Sequence, residues 1–234
     1  MAVFVVSDPA NHQMAADLPV ATSLILSRLR LETRGEHEAV EKVLDLMSAT
    51  LTHQRYRQRL TQFYGYYAPL EDALRARGNQ LADGSDTTTF SELTRSALFA
   101  RGNKTPLLQQ DLYHFGVISE YLPLCRDLPQ LNTQAEVLGC LYVMEGATLG
   151  GRMITQQVRT TLGITPTTGG SFFEGYGDDT GRMWQGMRQL LVSGSPDTQT
   201  EDSIVTSAIA TFACLRSWCE SFQKQLDTRP TQYA

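Results

Sequence analysis

Between residues 204 and 226 the apolar side chains Ile204, Ala208, Phe212, Leu215, Cys219, Phe222 and Leu226 each follow the last by three or four positions. Only a helix of ~3.6 residues per turn gathers such a set onto one face. Helical periodicity recurs along most of the chain, and no sustained period-two run lies between hairpin turns. The expected fold is therefore all-α: a single multi-helix domain without internal repeats. Hydrophobic residues make up 41% of the 234 positions, enough for a sizeable core.

Local signals divide the chain into elements. Leu26, Leu29, Val40, Leu44 and Met47 stand at helical spacing and predict a helix from about Thr22 to Ala49. A second helix starts after the cap Thr52 and stops near Gly78-Asn79. Pro69 inside it collides with the carbonyl of Gly65, four residues back, which predicts a kink or a break. A loop at Asp83–Asp86 precedes a shorter helix from about Thr89 to Arg101. Thr105-Pro106 reads as an N-cap followed by a first-turn proline. Thr133-x-x-Glu136 is a capping box opening a long helix that ends at Gly163. Residues 164–178, rich in Gly and Thr, form a connection, and Asp178-Asp179 cap the next helix, which stops at Gly194. Residues 1–18 read as a flexible arm, 19–228 as the domain and 229–234 as a tail.

A net charge of -5 gives no general reason to bind nucleic acid. No apolar stretch approaches the ~20 residues of a membrane span. The first basic residue is Arg28, so the N-terminus lacks the charged region of a secretory signal. Cys125, Cys140, Cys214 and Cys219 form no CxxC pair and read as reduced, mostly buried thiols of a cytoplasmic protein.

Two features carry chemistry. Of the four histidines, His12 falls in the arm, His53 in an Arg-rich first turn and His114 at a helix end, all surface positions. His37 shares a helix face with Arg30, Thr33, Arg34, Val40 and Leu44, and Arg30 stands two turns away, roughly 10 Å along the axis. An imidazole so placed suits a flat cofactor with a metal centre and carboxylates at its edge; the alternative is a structural histidine on a half-buried helix. The second feature is the run Gly139-Cys-Leu-Tyr-Val-Met-Glu-Gly146-Ala-Thr-Leu-Gly150-Gly151. Each glycine disfavours helix by ~1 kcal/mol relative to alanine. Such a stripe serves either close helix packing or close approach of a ligand, and the Gly150-Gly151 pair suggests local unwinding or bending.

Together these segments resemble the heme oxygenase family over about residues 25–226. LRLETRGEHEAVEKVL, from Leu29, is similar to the family's first helix, and GATLGGRMI, from Gly146, to its glycine-rich distal helix. The wording YVMEGATLGG is closest to the bacterial branch found with bacteriophytochromes. The resemblance implies a helical bundle holding heme between a proximal helix and a kinked distal helix. His37 falls on the iron ligand, Arg30 on a propionate contact and Gly146, Gly150 and Gly151 on the distal face. Tyr64, in FYGYYAPLE, falls on a distal-pocket tyrosine, and Phe212 on a pocket aromatic. Two departures stand out. Ala147 occupies the position of an aspartate that orders pocket water in animal members. A basic pair near residues 181–185 is also out of register, leaving Arg182 and Arg188 as substitutes.

The implied reaction opens the heme ring with O2 and reducing equivalents to biliverdin, CO and ferrous iron, with heme as both cofactor and substrate. Such a reaction supplies a bilin chromophore or releases iron, and a bacteriophytochrome is one implied recipient of the product. The chain has no dinucleotide fingerprint or iron–sulfur cysteine set, so an external ferredoxin or flavoprotein is the implied electron donor. Arg55, Arg57 and Arg59 form a basic patch that suits an acidic donor or simply a solvated helix start. The rival readings are a non-catalytic heme-binding or heme-transfer protein on the same fold, a helical interaction module, and a di-iron bundle. The last lacks the Glu-x-x-His pairs it needs.

Overall fold

The computed structural model describes residues 20–82, 91–101 and 104–228; the arm with His12, the 83–86 loop, Thr89 and the tail lie outside them. Among the described residues the secondary structure is helical, without a strand. The helices are α1 (Val20–Glu32), α2 (Arg34–Leu44), α3 (His53–Ala82), α4 (Glu92–Ala100), α5 (Lys104–His114), α6 (Gln134–Leu162), α7 (Ser171–Glu174), α8 (Thr180–Ser193) and α9 (Thr198–Thr228). None is long and apolar enough to cross a membrane.

The α9 stripe is the spine of the core: Ile204, Ala208, Phe212, Leu215, Cys219 and Phe222 are all buried. α6 packs most extensively on α9, and α2 and α3 also rest on it. The capping box of α6 forms as expected, Thr133 accepting from the Glu136 N–H and the Glu136 carboxylate from the Thr133 N–H; Gly163 closes the helix at φ 69°. Cys125, Cys140 and Cys219 are buried, Cys214 is half-buried, and all four are free thiols.

Four expectations are corrected. The helix expected over 22–49 is two helices that meet at Thr33, and α2 ends at Asp45, whose left-handed φ of 47° halts it. Of the kink or break expected at Pro69 the break does not occur, and α3 continues to Ala82. The Gly65 carbonyl, which Pro69 cannot serve, accepts instead from the Cys125 N–H at 2.8 Å. Thr105 does not cap α5. The buried Glu71 carboxylate of α3 reaches across to accept from the Lys104 N–H (2.7 Å) and the Thr105 N–H (3.1 Å), while the Thr105 hydroxyl makes no hydrogen bond. Asp179 precedes α8 without capping it, because its carboxylate pairs with Arg182 at 3.1 Å.

The 164–178 connection is part of the core. Asp111 of α5 accepts from the Ser171 and Phe172 N–H groups, both at 2.8 Å, and so supplies the N-terminal cap of α7. That bond set drives Phe172 and Phe173 inward against Phe63. Burial raises the Asp111 carboxyl pKa, opposed by those same hydrogen bonds.

Candidate functional site

α2 and α6 both pack on α9 but make little direct contact with each other. A cavity of about 440 Å³ has walls from both. Ser27, Arg30, Leu31, Thr33, Arg34 and His37 line it from α1 and α2, Tyr142, Gly146 and Ala147 from α6, and Phe212 from α9. Its size falls in the range of small-molecule sites. The described lining holds two arginines and no carboxylate.

The bend at Thr33 keeps Arg30 and His37 on this cavity. The backbone ladder runs through it, Thr33 N–H to Leu29 O at 3.1 Å and His37 N–H to Thr33 O at 3.0 Å. The Thr33 hydroxyl donates back to Leu29 O at 2.6 Å, the bond by which a buried threonine satisfies itself in a helix. α2 is held against α9 by Val40 and Leu44 in the core and by Arg216 donating to Glu36 at 3.0 Å.

His37 is 7% exposed, and Phe212 meets its ring edge-on, centroids 5.3 Å apart at 89°. Its Nε2 atom is buried and makes no hydrogen bond, and the residue has other interactions. A buried imidazole Nε2 that makes no hydrogen bond, in a cavity with room beside it, fits a metal centre. Arg30, exposed at the cavity wall, and Arg34, whose Nε also donates to Glu38 at 2.7 Å, fit anionic groups at a ligand's edge.

The glycines of α6 divide by what faces them. A Cβ on Gly139 would stand 2.4 Å from the Ile204 carbonyl oxygen, and one on Gly151 would stand 2.2 Å from that of Phe173. Those two sites are close packing against backbone. Gly146 instead lines the cavity, and Gly150 is buried without being among its described lining residues. The expected unwinding at Gly150-Gly151 does not occur: α6 is continuous, and neither residue has a positive φ.

The remaining expected site residues separate. Phe212 lines the cavity. Tyr64 is buried, but the aromatics of α3 that reach the underside of α6 are Phe63 and Tyr67, in a second, smaller cavity that also touches Ala147. Arg182 is exposed and paired with Asp179, and neither it nor Arg188 is among the described cavity residues. Arg59 of the basic patch turns inward, where burial lowers its pKa. His53 and His114 are exposed. Sequence reasoning missed Tyr142, although it stands one helical turn before Gly146 and the spacing alone puts it on the same face. Burial pushes its phenol up to about 12, against the lowering effect of Thr33 and Arg30. Among the described residues no group of three His, Cys, Asp or Glu side chains converges as a metal site would require.

Comparison with known proteins bears on the family and the fold. The family model described as heme oxygenase matches residues 23–221. The chain superimposes on the NO- and CO-bound heme oxygenase of Neisseria meningitidis with a TM-score of 0.64 at 16% identity, covering 85% of this chain and 91% of that one. It also superimposes on a domain of unknown function with a heme oxygenase-like fold from Shewanella denitrificans, with a TM-score of 0.68 at 13% identity, covering 89% and 97%. No curated protein sequence matches it.

Proposed function

We propose, from the premise that this chain belongs to the heme oxygenase family, that it binds heme in the α2–α6 cavity and opens the ring to biliverdin, CO and ferrous iron. The observation that carries the reading is that His37 and Gly146 line one cavity between two helices that scarcely touch. Bound there, heme supplies the redox chemistry from its own iron and macrocycle, with O2 and electrons from an external ferredoxin or flavoprotein.

The chain's own residues bind and orient. His37 offers Nε2 to the iron as a neutral imidazole, and Phe212 against the ring edge limits its rotation. Arg30 and Arg34 give the propionates charge-assisted donors, which fixes the rotation of the macrocycle and hence which edge is presented. Gly146 adds no side chain to the α6 wall between Tyr142 and Ala147, which would leave room for O2 over a bound heme. Gly151, packed against the Phe173 carbonyl, lets α6 lie close to α7, and Gly150 beside it is buried. Tyr142 closes the same wall one turn earlier. Bilin transfer to a phytochrome is a downstream role that this reading accommodates.

The experiment is a heme titration of the purified protein, then incubation with a competent electron donor in air and mass spectrometry of the extracted pigment. One heme per chain and a bile pigment are expected. Intact heme alone would overturn the oxygenase reading in favour of a heme carrier.

A further inference from the structure

Behind the α6 wall lies a buried ion pair that the proposed chemistry does not use. Arg101 follows the last residue of α4 and turns inward to Glu145 of α6, their side chains 9% and 2% exposed. Its Nη1 donates to Glu145 Oε2 at 2.8 Å, and its Nη2 donates to the Met183 carbonyl of α8 at 2.9 Å. The other carboxylate oxygen of Glu145 accepts from the Tyr176 hydroxyl at 2.8 Å. Burial raises the Tyr176 pKa and the carboxylate adds to it, so the phenol stays a donor. Three residues along α6, Thr148 Oγ1 accepts from the buried Lys104 Nζ at 2.7 Å, and that ammonium lies 4.0 Å from the centre of the same Tyr176 ring. Gly175, at φ 58°, closes over them: a Cβ there would stand 2.6 Å from Thr148 Cγ2 and 3.7 Å from Nζ.

α8 makes room for the guanidinium. Gly186 stands three residues after Met183 inside that helix, and a Cβ on it would lie 2.9 Å from Arg101 Nη2. A buried ion pair is a poor source of stability, because the lost hydration of both charges offsets their attraction. What this one supplies is direction. A planar fork of fixed donors holds two acceptors in one relation, and here they belong to α6 and α8. Each acceptor leads to the cavity wall. Glu145 directly precedes Gly146, which lines the cavity. Met183 directly precedes Trp184, whose ring packs 5.9 Å from that of Tyr142, a second lining residue.

We propose that Arg101 and Glu145 are positioning residues that lock the α6 segment from Tyr142 to Ala147 against α8, so that the wall facing a bound ligand has a single arrangement. The proposal rests on the heme reading of that cavity. Neither residue is among the described lining; they act through Gly146 and, by way of α8, through Tyr142.

The test reads the infrared C–O stretch of carbon monoxide added to the ferrous, heme-loaded protein, which responds to the wall over the ligand and needs no turnover. Wild type should give one band. Arg101→Met combined with Glu145→Leu removes the whole pair and leaves neither charge behind, a change that buried pairs often tolerate. Its band should split or broaden, since α6 then samples more than one arrangement. Gly186→Ala puts a methyl 2.9 Å from Nη2 and should displace the guanidinium, with the same change to a smaller extent. Arg101→Lys, a point charge in place of a fork, should also lose the single band. Glu145→Gln, which still offers the fork an oxygen, should largely keep it. Apo-protein melting accompanies each variant, and if the double variant fails to fold, Gly186→Ala carries the comparison. A wild-type band in the folded double variant, or failing that variant in Gly186→Ala, overturns the proposal. So does a wild type with several bands, or a Glu145→Gln band as altered as that of the double variant. A wild-type protein that binds no heme overturns the heme reading together with the proposal. One that binds heme without turning it over overturns only the oxygenase reading and leaves this test standing.

Discussion

Gly139 and Gly146 sit two turns apart on the same helix, both buried, and they do different work. Gly139 is glycine because another helix lies there: the Ile204 carbonyl, the Ser207 Cβ and the Ala208 nitrogen are all within 2.8 Å of where a Cβ would be. Gly146 lines a cavity of about 440 Å³. One residue type on one helix thus serves packing at one end and borders a cavity at the other. Only the element opposite decides which.

The largest expected effect tests whether the cavity side of this comparison is a heme site at all. His37→Ala should lower turnover at least ~100-fold, more than the loss of an outer-shell partner costs. It should leave the fold largely intact, and added imidazole should restore part of the activity. Wild-type ligation spectra in His37→Ala, with the signal lost in His114→Ala instead, would refute the assignment.

Next come the glycines themselves. Gly139→Ala and Gly151→Ala push a methyl into backbone that has no rotamer to yield, at about 1–3 kcal/mol. The helix-propensity gain of up to ~1 kcal/mol offsets part of it. At roughly 2–4 °C per kcal/mol for a chain of this size, both should melt several degrees lower, measured without heme. Gly146→Ala should melt at the wild-type temperature or above it and should slow oxygenation. Equal losses of stability at 139 and 146 would erase the contrast.

How much of this was legible beforehand depended on how local the cause was. The capping box, the α9 stripe and the Arg30–His37 face are written within a few turns of chain, and they read correctly. Gly139 and Gly146 are indistinguishable in sequence, since the partners that separate them lie some 65 residues on. Thr105 has the right neighbours for a cap but loses to Glu71, a carboxylate 34 residues earlier that reaches two amides at once. Lys104 carries no local signal of its burial, because Thr148 and Tyr176 lie 44 and 72 residues further on. Tyr142 was the avoidable omission, one turn from a residue already singled out.

A smaller effect sharpens the electrostatics of the cavity. Arg30 is exposed, so a contact between it and a propionate would be worth at most about 1 kcal/mol. Arg30→Glu should weaken heme binding by roughly 5-fold, since ~1 kcal/mol is about that factor, and shift the ratio of biliverdin isomers. Arg34→Glu should act in the same direction. If both leave affinity and isomer ratio as in wild type, the propionates lie elsewhere.

The smallest effect concerns the other side of α6, where a charge rather than a void faces the helix. Burial lowers the pKa of Lys104 from its ordinary value of 10.5. The unfolded chain therefore holds this proton over a pH range where the folded chain has released it. Where the unfolded state binds more protons, stability rises with pH. Between the lowered folded pKa and about 10.5 the wild type should gain stability relative to Lys104→Met, whose side chain does not titrate; below that window the difference is constant. Melting of the two apo-proteins in parallel from pH 7 to 10.5 reads this as curves that diverge in favour of the wild type on the alkaline side. Parallel curves would mean that Lys104 keeps its proton in the folded protein as readily as in water. Its ammonium would then be solvated rather than enclosed by Gly175, and the contrast between a void on one side of α6 and a buried charge on the other would fail.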